Sequence, residues 1–131
     1  MKKSPGYAAL KRRLDKIFSE YIRRKDAGAY GRAMCVSCGM VAHYKAMQCG
    51  HFLSRNYLAG RWNEKNCFVQ CPVCNVFKRG NYPGFASFLN RTYGPERIEE
   101  LLALKRKAVK FYASDLQTLI DRYTLKLKAL P

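Results

Sequence analysis

The stretch that decides the fold begins Cys35-Val36-Ser37-Cys38-Gly39 and is answered, after an interval of 32 residues (39–70), by Cys71-Pro72-Val73-Cys74-Asn75. Each end is a Cys-x-x-Cys pair. Two such pairs meet only if the chain folds back on itself, and four thiolates brought together form the tetrahedral set that zinc prefers. Gly39 permits the tight turn that aims backbone N–H groups at sulfur. The interval exceeds the ~15–20 residues of a simple zinc ribbon. It has room for a knuckle, a hairpin with a loop, and a helix that delivers the second pair, which is a treble-clef layout. The competing readings are a fortuitous pair or a redox pair. Two pairs, each in a turn-forming context, favour zinc at Cys35, Cys38, Cys71 and Cys74. Cys49 and Cys67 are left over. They read as small buried hydrophobes, with a swap of one into the zinc shell as the alternative.

Working outward, a chain of 131 residues predicts one domain, divided here into a basic N-terminal segment (1–34), the zinc-bound core (35–81) and a C-terminal segment (82–131). Lys and Arg number 25 against 9 Asp and Glu, a net charge of +16. Such an excess concentrates polyanions near the surface, so nucleic acid is the first partner to consider. A membrane surface is the weaker one, because the charge is spread along the chain. The three segments carry net charges of +7, +5 and +4, and the core has Glu64 as its only carboxylate. Met1–Gly6 does not read as a leader. No apolar run approaches the ~18 residues of a membrane span, so the expected location is the cytoplasm (the host's, if phage-encoded). Reduced cysteines are the rule there, which again favours metal over disulfide.

Residues 7–25 have apolar side chains at helical spacing (Tyr7, Leu10, Leu14, Ile17, Phe18, Tyr21, Ile22), with Ser4-Pro5 as a start signal. Arg12, Arg13 and Lys16 lie on the polar side of this helix and read either as a solvated face or as phosphate contacts. A strand is expected to end near His51 or Phe52, a surface loop to occupy 54–65, and Phe68-Val69-Gln70 to form a return strand. Pro72 then opens a helix that ends at Gly80. Pro83 starts a short helix and Gly94-Pro95 stops and restarts the chain. A capping box at Ser114-Asp115-Leu116-Gln117 begins a last helix with a Leu116, Leu119, Ile120, Tyr123, Leu127 stripe.

Within the core, Cys49-Gly50-His51-Phe52, Asn66, and Asn75 directly after the last zinc cysteine resemble the HNH (His-Me finger, ββα-metal) endonucleases. More narrowly, Cys49 to Arg55, Arg61-Trp62, Asn66, Gln70-Cys71 and Lys78-x-Gly80-Asn81 resemble the NinG/Rap family of phage recombination nucleases. The likeness covers most of the chain and is densest over 35–81. It implies an α+β fold with a zinc-stapled ββα-metal core flanked by helices. It further implies His51 as general base, Asn66 as the amide that holds the loop and orients the histidine, and Asn75 as oxygen ligand to a catalytic magnesium or manganese ion. Arg55, Arg61, Lys78 and Arg79 would face phosphate, with Arg12, Arg13 and Lys16. The chain departs from the pattern at Gly50, where many of these enzymes place a metal-binding aspartate. Gln48 or Glu64 would have to contribute instead. Read without the likeness, His51 is a zinc ligand or packed core histidine, His43 a surface or strand residue, Asn66 a turn former and Asn75 a helix N-terminal residue.

These residues predict a metal-dependent endonuclease for branched DNA of the Holliday-junction or D-loop type, with a homodimer suited to symmetric cutting. The alternatives are a zinc-stabilised protein that binds branched DNA without cutting it, which Gly50 favours, and an RNA-binding zinc protein, which gives His51, Asn66 and Asn75 nothing to do.

Overall fold

The computed structural model describes residues 6–131; the Ser4-Pro5 start signal and the first five residues of the leader reading lie outside them. Helix α1 (Tyr7–Arg24) forms as its spacing predicts and buries Leu10, Leu14, Phe18 and Ile22, one residue per turn on a single face. Hairpin β1 (Arg32–Met34) and β2 (Val41–His43) follows, pairing Arg32 with His43 and Met34 with Val41. Short strands around the Cys35–Gly39 knuckle were not expected. The single strand read into 41–53 is in fact two, β2 and β3 (Gln48–His51), separated by a 3-10 turn at Tyr44–Ala46. Helix α2 (Leu58–Arg61) and strand β4 (Cys67–Gln70) come next.

The expected surface loop over 54–65 is therefore wrong in part. Gly60, Arg61 and Trp62 are buried there, because Arg61 and Trp62 pair with Asp15 of α1. After Pro72 the chain makes a five-residue π turn, Val73–Phe77, rather than an α-helix to Gly80. Lys78 N–H closes it on Val73 O at 2.9 Å. A wide turn of this kind is usually confined to a single turn. The exit runs through Arg79, Gly80 and Asn81 with φ of 48°, 98° and 42°. Left-handed backbone at the two non-glycine positions stores strain.

Helices α3 (Tyr82–Tyr93), α4 (Glu96–Ala103) and α5 (Ala113–Lys128) complete the chain. Helix α5 starts earlier than its predicted box. Asp115, not Gln117, reaches back, accepting from Tyr112 N–H at 2.7 Å, and Leu116, Ile120 and Tyr123 are the buried stripe. The core has three parts: α1 against α5 with Trp62 and Cys67; the four-cysteine region with Ala33 and Met47; and Phe52, Phe68, Phe85, Leu89 and Leu101. Each fully buried Leu or Phe contributes ~1.5–3 kcal/mol. Among the described residues no helix is long and apolar enough to cross a membrane.

Strands β3 and β4 form an antiparallel pair in the register Gln48–Gln70, Cys49–Val69, Gly50–Phe68 and His51–Cys67. Opposed residues share a face, and alternate residues switch faces. Gln48, Gly50 and Gln70 therefore lie on one side of the hairpin, and Cys49, His51 and Cys67 on the other. The mixed helix-and-sheet class is as expected.

Candidate functional site

The four cysteines predicted to meet do meet. The sulfurs of Cys35, Cys38, Cys71 and Cys74 all lie within 4.8 Å of one another. Cys38 Sγ and Cys71 Sγ are 3.7 Å apart. Two sulfurs at 2.3 Å from a tetrahedral zinc stand about 3.8 Å apart, so the spacing fits the ion. Burial, and then the neighbouring sulfurs, push the Cys74 thiol up to about 12. Several thiolates cannot coexist at that density without a cation among them. The supporting shell fits as well. Cys74 N–H points at Cys71 Sγ (3.4 Å), and the Asn81 side-chain amide donates to Cys74 Sγ (3.3 Å). Asn81 also caps α3 through Oδ1 on Gly84 N–H. One residue thus ties the cluster to the C-terminal helices, a role that a lone Asn after Gly does not advertise in a sequence. The cluster could hold zinc.

Cys49 and Cys67 are not in this cluster. Cys67 is buried in the α1–α5 core, as the reading of it as a small buried hydrophobe expected, whereas Cys49 packs against that core only half-buried.

A cavity of about 570 Å³ opens beside the hairpin. It is lined by His51 and Asn75 together, with Gln48, Ser54, Asp15 and Ser19, and by Arg23, Arg55, Arg61 and Arg79. His51 stands at the end of β3. Its Nε2 is 2.9 Å from the carbonyl oxygen of Arg61. A carbonyl only accepts, so Nε2 carries the proton and Nδ1 of the neutral ring keeps its lone pair. Burial lowers the His51 pKa, opposed by the Arg61 carbonyl and assisted by the Arg55 charge. The ring is therefore neutral at pH 7.

Asn66 is fully buried beneath this arrangement. Its Oδ1 accepts from Leu53 N–H at 2.7 Å, and its Nδ2 donates to Leu53 O and Gly60 O, each at 3.0 Å. It pins both ends of the loop from Leu53 to Gly60, next to the Arg61 carbonyl that holds His51. Asn75 sits in the π turn and donates Nδ2 to Gln48 Oε1 at 2.7 Å. Its Oδ1 is the free end of that amide.

The basic residues divide. Arg12, Arg13 and Lys16 are exposed on α1, and the row 12-16-19-23, at helical spacing, leads into the cavity through Ser19 and Arg23. Arg55 and Arg79 are exposed cavity residues. Lys78 is exposed but outside the lining. Arg61 does not stand free for phosphate as expected: it is 9% exposed, with Nε and Nη2 on the two oxygens of Asp15 at 3.1 and 2.6 Å. Burial alone would raise the Asp15 carboxyl, but the hydrogen bond and charge of Arg61, then Trp62 and Arg55, hold it below its ordinary range. Asp15 was overlooked in the sequence; one acid inside a run of basic residues was the available signal.

Gly50 has a structural reason. A Cβ there would overlap Gln70 Oε1. The Gln70 amide is fixed by Nε2 donating to Ser37 Oγ (2.7 Å) and Gly80 O (2.8 Å). Flipping it would set two oxygens against each other at Gly80. Oε1 therefore remains against Gly50 without a hydrogen-bond partner. An aspartate at 50 has no room. Glu64, considered as a substitute ligand, faces α5 instead, accepting from Tyr123 Oη and Lys126 Nζ at 2.9 Å each. Asp15 is spoken for by its arginines. Among the described residues, the lining of this cavity thus offers a hard divalent ion no free carboxylate, which such ions ordinarily require. What it offers there is the neutral Oδ1 of Asn75.

Among known proteins, neither the curated proteins nor the solved structures gave a match. A family model described as bacteriophage lambda NinG protein matches residues 3–131. With that span matched, the chain belongs to the bacteriophage lambda NinG family.

Proposed function

We propose that the protein is an endonuclease of the HNH type, with a treble-clef zinc core, acting on branched DNA in phage recombination. The observation that carries this reading is the His51 hydrogen bond to the Arg61 carbonyl, which leaves Nδ1 as the unprotonated acceptor of a ring that lines an arginine-rich cavity. A neutral imidazole so placed takes a proton from an attacking water. Arg55, Arg79 and Arg23 surround the space a phosphodiester would fill. Asn66 acts by positioning, through the loop that carries the Arg61 carbonyl. Asn75 Oδ1 is the atom that would hold a magnesium or manganese ion, and such an ion would supply charge neutralisation at the leaving oxygen.

The row Arg12, Lys16 and Arg23 on α1, with Arg13 beside it, extends the positive surface away from the cavity. No base-reading motif accompanies it, which suits recognition of backbone and shape. Symmetric cutting of a four-way junction would use two copies of the chain. Activity in the cytoplasm, where phage DNA recombines, follows from the same reading.

A second reading is a zinc-stabilised protein that binds branched DNA without cutting it. The sequestered Asp15 and the crowding at Gly50 favour it. The two separate on labelled four-way junction DNA incubated with protein in magnesium or in EDTA. Discrete products in magnesium alone support the nuclease. Junction binding without products in magnesium or manganese supports the second reading.

A further inference from the structure

On the α1 side of the β3–β4 hairpin, Cys49, His51 and Cys67 bring their ligand atoms within 4.8 Å of one another. The hairpin register makes this inevitable: His51 faces Cys67 directly, and Cys49 precedes His51 by two on the same face. We propose that these three residues form a second metal site, for a thiophilic ion of the zinc class, and that its occupation switches His51 off. The switching half rests on the nuclease reading; the binding half does not.

The donor set determines the ion. Two thiols and one imidazole select zinc, cobalt or cuprous copper over magnesium. With zinc at 2.3 Å from sulfur and about 2.0–2.1 Å from nitrogen, tetrahedral ligands stand roughly 3.4–3.8 Å apart. The three atoms, within 4.8 Å of one another, need to close by at most roughly 1.0–1.4 Å to reach that geometry. Cys49 and His51 line the cavity while Cys67 is fully buried below. An ion there has three protein ligands and a fourth position open to the cavity, where water completes it.

Charge also fits. The divalent ion displaces one proton from each thiol, and the neutral imidazole binds through a lone pair. Two thiolates and a divalent cation leave the buried group neutral, which suits its packing against Leu14, Phe18 and Ile22. The four-cysteine cluster with zinc would instead carry two negative charges.

Either ring nitrogen gives the same consequence. If Nδ1 binds the ion, the lone pair of the base is consumed. If Nε2 binds it, the ring proton moves to Nδ1, which then cannot accept one.

The test is a cobalt titration of protein already carrying one equivalent of zinc. The expected result is one further equivalent with thiolate-to-cobalt charge-transfer absorbance, absent in Cys49→Ser and in Cys67→Ser, both of which keep the first zinc. Saturation with no second equivalent overturns the proposal, as does a second equivalent that survives both substitutions. In the same titration, junction cleavage by the wild type should fall roughly 100-fold or more. Occupation without loss of cleavage overturns the switch. If the protein cleaves nothing, the cobalt stoichiometry still decides the site, and the nuclease reading fails separately.

Discussion

The hairpin β3–β4 carries cysteine-rich environments at two places that differ in kind. Cys35, Cys38, Cys71 and Cys74 are held by turns that point N–H groups at sulfur, with Cys38 open to solvent. Cys49 and Cys67 are held by a sheet register and the packing of α1, with the Asn63 backbone N–H beside the Cys67 sulfur. The first arrangement has little apolar substance and would depend on the zinc it could hold. The second is complete as a packed core and tolerates an ion as an addition. The contrast teaches that cysteine spacing reveals a metal site where local turns build it. Where strand pairing brings the ligands together, spacing is silent.

The sharpest way to break this contrast is to remove zinc, or to make Cys74→Ala. Loss of folding free energy on the order of 10 kcal/mol is expected, seen as collapse of the circular dichroism signal on chelation. Cys67→Ala should cost only about 1–2 kcal/mol in denaturant unfolding. Equal losses from the two substitutions would erase the distinction.

The next effect sharpens the account of the polar face. Gly50→Ala should cost about 1–3 kcal/mol, because its Cβ meets the fixed Gln70 amide. The double substitution with Gln70→Ala should be less damaging than the sum of the two. Strict additivity in a double-mutant cycle would mean that Gly50 serves something other than Gln70.

Asp15→Asn probes the other face. It removes the partner of Arg61 while the Asp15 side chain is 27% exposed, so a loss of about 1–2 kcal/mol is expected after screening. The same change frees positive charge at the cavity, and DNA affinity should rise in low salt even as the melting temperature falls. The smallest effect is at α1, where Arg12→Ala, Arg13→Ala and Lys16→Ala should each lower the salt slope of DNA binding by about one. Unchanged slopes would place the DNA elsewhere.

The parts legible in sequence were those written in local repeats. The meeting of the four cysteines follows from spacing, as do the two helical stripes, of which Leu10, Leu14, Phe18 and Ile22 in α1 and Leu116, Ile120 and Tyr123 in α5 are the buried members. Three-residue strands are too short to show a period, so β1 was invisible and β2 ran together with β3. Arg61 looked like a surface cation because its partner Asp15 lies 46 residues away. Gly50 looked like a missing ligand because the Gln70 amide that fills its space arrives from the opposite strand. Asn81 gave no sign that it would touch a cysteine of the cluster across a left-handed turn. In each case a single contact between distant positions decides the role.

His51 tests the site's electrostatics as well as its chemistry. Its pKa lies below the ordinary 6.5 because the ring is buried. The neutral ring therefore contributes stability above pH 6.5 that is lost as pH falls through the lower folded value. Cleavage should hold through 6.5 and fail only on the acid side of it.

The most direct measurement is single-turnover cleavage of a four-way junction in magnesium by wild type and His51→Ala, both at concentrations that saturate binding. The account predicts junction affinity within a fewfold of wild type and a cleavage rate lower by roughly 100- to 10,000-fold. A variant that cuts at the wild-type rate, or a wild type that binds the junction and never cuts it, would contradict the assignment of His51 as the base.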